Sequence, residues 1–396
     1  MPCNVSREVT NDADAIVIGA GPAGSWAART LASLGARVTL VDGSHPREKP
    51  CGGGVTGRAL ALVADAIEPA QLPRCHINSA RFVDRRRRTS PSVSLHDGDL
   101  DVVSRTEFDD ALFSAALAAG AGALRARAVD IARDGTSFVV HTNAGTIRAP
   151  RLIGADGANS LVRRRLARPF ARPDLSIATG YFVHGVTSSE IVLELLVDPP
   201  GYIWSFPRPT HLAVGICTQA DERVTAGALR DMTHHWICSM KFDGGSLSPY
   251  SWPIPSLSAR SFESLTTSGD GWWLVGDAAG LVDPITREGI YFALLSGQWA
   301  AEAAASSERA ARQQYHERVR DEIVSELTLA ARFKSGFFKP RFTGLLVDAL
   351  AESPRVREVM ARLVAGTQPY KGLKRALART AELGLAWRLL RAKWYN

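Results

Sequence analysis

Short apolar runs alternate with helical periodicity at the start of the chain. Residues 15–18 are apolar, residues 26–34 repeat apolar positions at helical spacing, and residues 37–41 are largely apolar again. Glycines separate the first run from the helical stretch, and an acidic residue follows the last run. This order predicts a strand, a tight turn, a helix and a second, parallel strand, which is the plan of a dinucleotide-binding unit.

Three glycines in the turn have the spacing that pyrophosphate binding requires. Gly19 allows the tight turn, Gly21 lets a pyrophosphate approach the backbone, and Gly24 lets the helix pack closely on the strand. The start of the helix adds free amides and the positive end of its dipole. Asp42, 18 residues after Gly24, can accept hydrogen bonds from a ribose. The unit is therefore predicted to bind a dinucleotide.

Beyond this unit, the periodicity changes to that of an antiparallel sheet and then becomes helical. A helix is expected over 105–117 and another over 289–306, with nearly everything after it helical and broken at Pro340, Pro354 and Pro369. Strands are expected at 79–83, 92–95, 126–131, 137–142, 146–149, 151–154, 178–183, 191–197, 202–206, 212–216 and 272–275. The antiparallel segments are the natural place for a roof over a substrate.

Cysteine usage and charge narrow the class of protein. Five cysteines without a Cys-x-x-Cys pair argue against a disulfide framework or a metal site and for a reducing compartment. No stretch resembles a signal peptide or a membrane span, so a cytoplasmic location is expected. The net charge of +7 lies in residues 351–396, which hold ten Lys or Arg and three Glu. This argues against nucleic-acid binding and for a local basic patch. The arginine runs at 85–88 and 163–165 are expected to be solvated.

The basic C-terminal segment has the spacing of an amphipathic helix. Its apolar positions are Leu373, Leu377, Thr380, Leu383, Trp387, Leu390 and Trp394, with the basic residues mostly elsewhere. Such a helix can rest on an anionic membrane surface, which would place the protein peripherally at the inner face of the membrane. The alternative is that it caps the protein's own core.

Further motifs join the glycine turn and carry a family resemblance. With Asp156-Gly157 and Gly276-Asp277 in place, residues 13–310 resemble the FAD-dependent fold of para-hydroxybenzoate hydroxylase and its relatives. Within that superfamily, three segments are similar to the geranylgeranyl reductase family: Lys49-Pro-Cys-Gly-Gly-Gly54, Gly201-Tyr-Ile-Trp-Ser-Phe-Pro207, and the run from Gly276 to Ile290.

The resemblance implies an α/β fold with a Rossmann-type FAD-binding domain, an inserted antiparallel β-sheet substrate domain and a C-terminal helical region. The expected boundaries are 1–75, 100–165 and 265–330 for the FAD-binding domain, 76–99 and 166–264 for the substrate domain, and 331–396 for the helical region.

The resemblance also implies which residues contact FAD. They are Gly19, Gly21, Ala23, Gly24, Asp42, Gly52, Gly54, Arg105, Val129, Asp156, Gly157, Gly276, Asp277, Gly289 and Ile290. Val129 would meet the adenine through its backbone, and Asp277 would accept a ribityl hydroxyl. Amides at Gly289 and Ile290 would face the negative edge of a reduced flavin.

Reduction of an isolated prenyl double bond needs a hydride at one carbon and a proton at the other, because no carbonyl polarises the bond. Cys51 is the candidate proton donor, since a thiol is mostly protonated at neutral pH. The alternative is that Cys51 only packs against the flavin. Tyr202, Trp204 and Phe206 alternate along one strand and so share a face. They could wall an apolar lipid tunnel or form ordinary core.

The expected activity is therefore FAD-dependent reduction of C=C bonds in a prenyl chain or prenylated lipid. The alternative is a flavin monooxygenase, a hydroxylase or halogenase, acting on an aromatic small molecule or on a partner-protein side chain. No confident match exists for a halogenase lysine. Because no second glycine-rich unit is present, NAD(P)H would bind transiently, or another electron donor would be used. Arg287 stands where relatives often carry glycine; it would strengthen anion stabilisation at the flavin or narrow the site.

Overall fold

A computed structural model describes residues 8–96, 98–220, 224–242, 244–306 and 309–380. In chain order its strands are β1 (Glu8–Asp12), β2 (Ala15–Ile18), β3 (Val38–Val41), β4 (Gly54–Thr56), β5 (Arg74–His76), β6 (Ser79–Val83), β7 (Ser92–Ser94), β8 (Leu100–Val103), β9 (Gly122–Leu124), β10 (Ala128–Asp134), β11 (Ser137–Thr142), β12 (Gly145–Ala149), β13 (Arg151–Gly154), β14 (Leu175–His184), β15 (Glu190–Val197), β16 (Pro200–Pro207), β17 (His211–Gln219), β18 (Leu247–Pro255), β19 (Ser268–Gly269) and β20 (Trp272–Leu274).

The helices complete the chain order. They are α1 (Pro22–Ser33), α2 (Gly57–Val63), α3 (Arg105–Ala118), α4 (Leu161–Leu166), α5 (Ala226–Ser239), α6 (Ala259–Glu263), α7 (Gly276–Ala279), α8 (Ile290–Ala305), α9 (Arg309–Arg318), α10 (Ser325–Phe337), α11 (Pro340–Glu352), α12 (Pro354–Val364) and α13 (Tyr370–Ala378). A π-helical segment, Val319–Val324, joins α9 to α10. No helix in the described ranges is long and apolar enough to cross a membrane.

A six-stranded sheet in the order β19-β20-β13-β2-β3-β9 forms the dinucleotide-binding part of the fold. Its pairings are parallel except for β19 with β20. Every residue of β2 and β3 is buried, as expected for the central strands of a covered parallel sheet. α1 packs against α3 and α8. Because β2, β3, β13 and β20 run in the same direction, the loops that follow them meet at one edge of the sheet, where ligands bind in such folds.

A seven-stranded sheet in the order β18-β14-β17-β16-β15-β6-β7 forms the second large layer. Its pairings are antiparallel except for β15 with β6. Ile203 of β16 packs in a cluster with Trp236 and Ile237 of α5. Side chains alternate across a strand, so the neighbouring Tyr202 and Trp204 point to the opposite face. That opposite face packs against α11 and α12 at the end near β6 and β7.

The predicted fold class is confirmed: the chain has an α/β FAD-binding fold with large sheets and a C-terminal helical region. α11 and α12 begin at Pro340 and Pro354, because proline fits the first turn of a helix. The structure differs from the prediction at α5, a helix within the region that was expected to contain only sheet. The predicted domain boundaries remain a prediction.

The expectation that the arginine runs are solvated was wrong for Arg163. Arg163 is 3% exposed, and its guanidinium donates hydrogen bonds to the carbonyl oxygens of Ala278 (2.6 Å) and Thr266 (3.2 Å), because α4 turns this side chain toward the loops around β20. The other run, residues 85–88, is an exposed turn as expected, and Arg85, 47% exposed, also pairs with Glu194 at 2.8 Å.

Helix α13 settles part of the question about the basic C-terminal segment. Leu373 and Leu377 line an apolar pocket inside the protein, so this part of the segment caps the core. Leu383, Trp387, Leu390 and Trp394 lie outside the described residues.

Candidate active site

One cavity of about 830 Å³ connects the glycine turn with the seven-stranded sheet and the C-terminal helices. Its volume lies within the range of ligand pockets, roughly 300–1,000 Å³. One end is lined by the turn after β2, Asp42 and the loops after β13 and β20. The other end is lined by apolar side chains of β6, β15, β16 and β18 and of the C-terminal helices. The loop that carries Cys51 lines it as well.

The turn after β2 brings backbone segments closer together than a side chain would allow. A Cβ atom on Gly24 would lie 1.8 Å from the Gly19 carbonyl oxygen, and Gly19 has a φ of +103°. α1 has Gly21 as its N-cap, and no side chain caps its first amides. These amides, at the positive end of the helix dipole, suit a pyrophosphate.

Asp42 at the end of β3 is fixed by the loop that follows. Its carboxylate accepts hydrogen bonds from the amides of Ala20 (2.9 Å), Ser44 (2.6 Å) and His45 (2.8 Å), and His45 Nδ1 lies 2.8 Å from Oδ2. Burial alone would raise the pKa of Asp42, but His45 and these amides hold it well below its usual value. A charged acceptor therefore stands next to the pyrophosphate turn, as a ribose site requires.

A second helix start lines the cavity at α8. Gly289 is the N-cap of α8, no side chain caps the helix, and both Gly289 and Ile290 line the cavity. Asp277 of α7 lines it too, and its carboxylate pairs with Lys49 Nζ at 2.8 Å. The uncapped start of α1 therefore fits the pyrophosphate of FAD, and the uncapped start of α8 fits the electron-rich edge of its ring. The residues that line this end of the cavity are consistent with that cofactor.

The loop that carries Cys51 packs closely between the dinucleotide-binding part of the fold and the seven-stranded sheet. A Cβ atom on Gly52 would lie 2.9 Å from the ring of Phe206. Arg105 Nη1 donates to Cys51 Sγ at 3.6 Å, and the rest of the guanidinium is paired with Asp109 through two contacts of 2.8 Å. Burial would lower the pKa of Arg105, but the paired carboxylate of Asp109 holds it above its ordinary value, so this side chain is a permanent cation beside the sulfur.

Arg208, just beyond β16, clamps the same loop from the sheet side. Its guanidinium is 0% exposed, donates to the Cys51 carbonyl oxygen at 2.6 Å and to the Gly52 carbonyl oxygen at 3.4 Å, and pairs with Glu48. The amide of Arg105 also donates to Glu48, at 3.2 Å. Glu48 therefore links the sheet to the start of α3 through the Cys51 loop.

The aromatic row on β16 faces the cavity, as the alternation predicted. Tyr202, Trp204 and Phe206 all line it, together with Cys217 and Ile254. The Tyr202 hydroxyl donates to the Thr286 carbonyl oxygen at 3.2 Å. Burial raises the pKa of Tyr202 above its ordinary value, so the hydroxyl keeps its proton at neutral pH.

Two of the C-terminal helices close the apolar end. Phe337 of α10 and Met360, Leu363 and Val364 of α12 line the cavity. A smaller apolar pocket of about 80 Å³ adjoins it and shares Ile285, Phe337, Met360 and Leu363 with it. The apolar space therefore continues from the aromatic row into the helical region.

Most residues predicted from the sequence meet at this cavity. The predicted residues that line it are Gly19, Gly21, Ala23, Asp42, Cys51, Gly52, Gly54, Arg105, Asp156, Gly157, Tyr202, Trp204, Asp277, Gly289 and Ile290. Gly24 and Gly276 lie behind it and serve close packing, since a Cβ on Gly276 would lie 3.1 Å from Ala23 Cβ. Val129 is 51% exposed, and its neighbour Ala128 lines the cavity instead.

The sequence reasoning missed the charged residues that fix the loops. Glu48 stands directly before the Cys51 motif, Lys49 is the first residue of that motif, and Arg208 directly follows the aromatic strand. Glu288, before Gly289, pairs with Arg58 of α2, and burial raises its pKa. Their adjacency to the motifs was the available signal. No group of three or more His, Cys, Asp or Glu side chains in the described parts of the chain could hold a metal ion.

Comparison with known proteins agrees with this geometry. The family described as FAD binding domain matches residues 12–294. A menaquinone reductase of Mycolicibacterium smegmatis is 32% identical over 325 residues, which cover 74% of this chain and 76% of that protein. A geranylgeranyl diphosphate reductase of Rhodobacter capsulatus is 32% identical over 304 residues, 74% of each chain. The crystal structure of a geranylgeranyl bacteriochlorophyll reductase-like protein from Thermoplasma acidophilum has the same fold, with a TM-score of 0.78 and 22% identity over 94% of this chain and 100% of that one.

Proposed function

This chain belongs to the FAD binding domain family and, within it, to the geranylgeranyl reductase family, and on that premise we propose that it reduces C=C bonds of a prenyl chain or prenylated lipid. The observation that carries the proposal is the change in chemistry along one cavity. The dinucleotide end presents helix amides and charged side chains, and the other end is walled by aromatic and aliphatic side chains. Cys51 lines this same cavity.

The dinucleotide end has the groups to hold FAD. The amides at the start of α1 would bind the pyrophosphate, Asp42 the ribose, and the start of α8 the ring edge. Bound FAD would supply hydride chemistry at the cavity. Asp277, fixed by Lys49, would hold a hydroxyl of the cofactor's chain.

Cys51 is proposed as the proton donor to the second carbon of the double bond. When the thiol proton leaves, negative charge remains on sulfur, and Arg105 Nη1 at 3.6 Å is placed to stabilise it. Arg105 can do so at any physiological pH, because Asp109 keeps it charged. A proton from solvent then restores the thiol.

The apolar end would hold the prenyl chain. Tyr202 and Trp204 provide flat walls on the sheet, and Met360 and Leu363 close the space from the helical side. An extended isoprenoid has no hydrogen-bonding groups along its length. Burial of its apolar surface against these walls is therefore sufficient to favour binding. Tyr202 and Trp204 thus position the substrate.

The electron donor is proposed to be NAD(P)H, bound transiently, or another reductant. Contact with a membrane remains a proposal for the basic segment beyond α13. It would give access to a prenyl lipid that resides in a bilayer.

The proposal is tested by product analysis. Reduced holoenzyme is incubated with geranylgeraniol under anaerobic conditions, and a mass gain of two hydrogens per reduced bond is expected. A monooxygenase or halogenase would leave the alcohol unchanged and instead incorporate oxygen or halogen into an aromatic substrate in air. Among the described residues, Lys49 is the lysine that lines the cavity, and its pairing with Asp277 does not favour halogenation.

A further inference from the structure

A carboxylate lies in the cavity directly before the uncapped start of α8. Glu288 precedes Gly289, the N-cap of that helix, and both residues line the cavity. The Glu288 carboxylate accepts a hydrogen bond from Thr56 Oγ1 at 3.0 Å and pairs with the Arg58 guanidinium. The Glu288 side chain is 16% exposed, so most of it is removed from water. This carboxylate therefore stands next to the helix start that the proposed function assigns to the ring edge of FAD.

Arg58 is fixed by the helices around it. Its guanidinium carbon lies 3.9 Å from the centre of the Tyr291 ring, in the first turn of α8. A Cβ atom on Gly366, just after α12, would lie 2.5 Å from Arg58 Nε, so the end of α12 packs closely against the guanidinium. Because Glu288 lines the cavity whereas Arg58 does not, the pair presents its negative end to the cavity.

Neighbouring charged groups leave Arg58 as the countercharge of Glu288. Arg287, the residue before Glu288, donates instead to Ser256 Oγ, just after β18. Its guanidinium is thus held beside the sheet and not at the start of α8. Burial raises the pKa of Glu288, and Asp283 adds to that effect, whereas Arg58 opposes it. Arg58 is therefore the cation that favours the charged form of this carboxylate.

We propose that Glu288 and Arg58 set the reduction potential of bound FAD, with the carboxylate lowering it and the guanidinium limiting that effect. This inference rests on the proposed function. Reduction places negative charge at the ring edge, which the positive end of the α8 dipole would stabilise. A carboxylate beside that edge opposes the stabilisation by Coulomb repulsion, and water screens the repulsion little at a largely buried position. The reduced cofactor is thereby kept a strong hydride donor, as an unpolarised C=C bond requires.

Redox titration of the holoenzyme tests the proposal without substrate. The midpoint potential is measured anaerobically against a reference dye for the wild type, Glu288→Gln and Arg58→Met, in mildly alkaline buffer that favours the charged carboxylate. Glu288→Gln keeps the shape of the side chain and should raise the potential. Arg58→Met should lower it, because the carboxylate then lacks its cation. Each shift should correspond to roughly a tenfold change in the equilibrium between oxidised and reduced cofactor, or about 30 mV for two electrons.

Two controls separate the effect of charge from those of shape and distance. Arg58→Lys keeps the positive charge and should stay near the wild-type potential. Glu302→Gln removes a carboxylate that pairs with Arg318 at 3.4 Å, about 18 Å along α8 from its start, and should shift nothing. A merely structural disturbance of the helix start would move the potentials of Glu288→Gln and Arg58→Met in the same direction.

The contrary outcomes follow from the signs of the two shifts. The proposal is overturned if either variant, once folded and loaded with FAD, fails to shift the potential in its stated direction. If Arg58→Met does not fold, the result for Glu288→Gln decides alone. Reduction of geranylgeraniol is assayed on the same samples. Potentials that shift as stated in an enzyme that reduces no prenyl substrate would contradict the proposed function and not the role of the pair.

Discussion

The guanidinium of Arg208 donates a hydrogen bond from Nη2 to the carbonyl oxygen of Cys51 at 2.6 Å. Arg208 belongs to the sheet layer, and Cys51 to a loop between that layer and the dinucleotide-binding sheet. The contact fixes the sulfur-bearing residue relative to the aromatic row that would hold the substrate. Glu48 completes the link, because it pairs with Arg208 and accepts from the amide of Arg105.

Arg208→Met should therefore impair both stability and turnover. The change leaves the carboxylate of Glu48 without its main partner, and breaking a buried pair costs about 3–5 kcal/mol. Thermal unfolding should show a marked loss of stability. Adding Glu48→Gln should recover part of that stability but not the turnover, because the carbonyl oxygen of Cys51 still lacks its donor. Full turnover in the double variant would show that the clamp does not position the loop.

Gly24→Ala should abolish cofactor binding. The added Cβ would lie 1.8 Å from the Gly19 carbonyl oxygen, so the turn must open and the amides at the start of α1 move. Gly227→Ala is the matched control, because a Cβ there meets only Thr225 Oγ1 at 3.8 Å inside a helix. Flavin absorbance after reconstitution measures the effect, and normal loading of Gly24→Ala would contradict the assigned pyrophosphate site.

Cys51→Ala should retain FAD and lose prenyl reduction by roughly 100-fold or more, the usual contribution of a general acid. Cys238→Ala, which removes an exposed cysteine, should change neither property. The readouts are the flavin spectrum and the rate of substrate reduction. Unchanged turnover in Cys51→Ala would rule out proton donation by this thiol and leave it a packing role.

His211 predicts a dependence of stability on acid pH. Burial, together with Arg208, lowers the pKa of His211 to about 4, whereas an unfolded chain has an ordinary histidine value near 6.5. Below pH 6.5 the unfolded state binds a proton that the folded state does not. The contribution is therefore complete above pH 6.5 and is lost as the pH falls toward 4.

Denaturant unfolding at several pH values measures this term. His211→Gln should flatten the loss of stability between pH 6.5 and 4, because it removes the group whose protonation opposes folding. His235→Gln, at an exposed position, should leave the loss unchanged. An equally steep loss in both variants would contradict the assignment to His211.

The sequence predicted those parts of the site that depend on local order. The strand, turn and helix around Gly19 follow from periodicity over a short stretch, and the alternation of Tyr202 and Trp204 follows from strand geometry. Helix α5 was missed although Leu229, Thr233 and Trp236 have helical spacing, because the neighbouring strands dominated the pattern.

The charged pairs could not be predicted in the same way. Glu48 and Arg208 are 160 positions apart, and their contact depends on how the two sheets pack. Arg163 was expected to be exposed to solvent because it belongs to an arginine run, but the packing of α4 buries it. Periodicity reports which face of an element is apolar, and it carries no information on which distant carbonyl or carboxylate a buried cation meets.

Anaerobic stopped-flow spectroscopy tests the central claim most directly. Holoenzyme is reduced with dithionite, mixed with a geranylgeranyl substrate in the absence of oxygen, and followed at the absorbance of the oxidised cofactor. The account predicts reoxidation at a rate that depends on substrate concentration, with one reduced double bond formed per FAD. A flavin that stays reduced with every prenyl substrate, and is reoxidised only by oxygen, would contradict it.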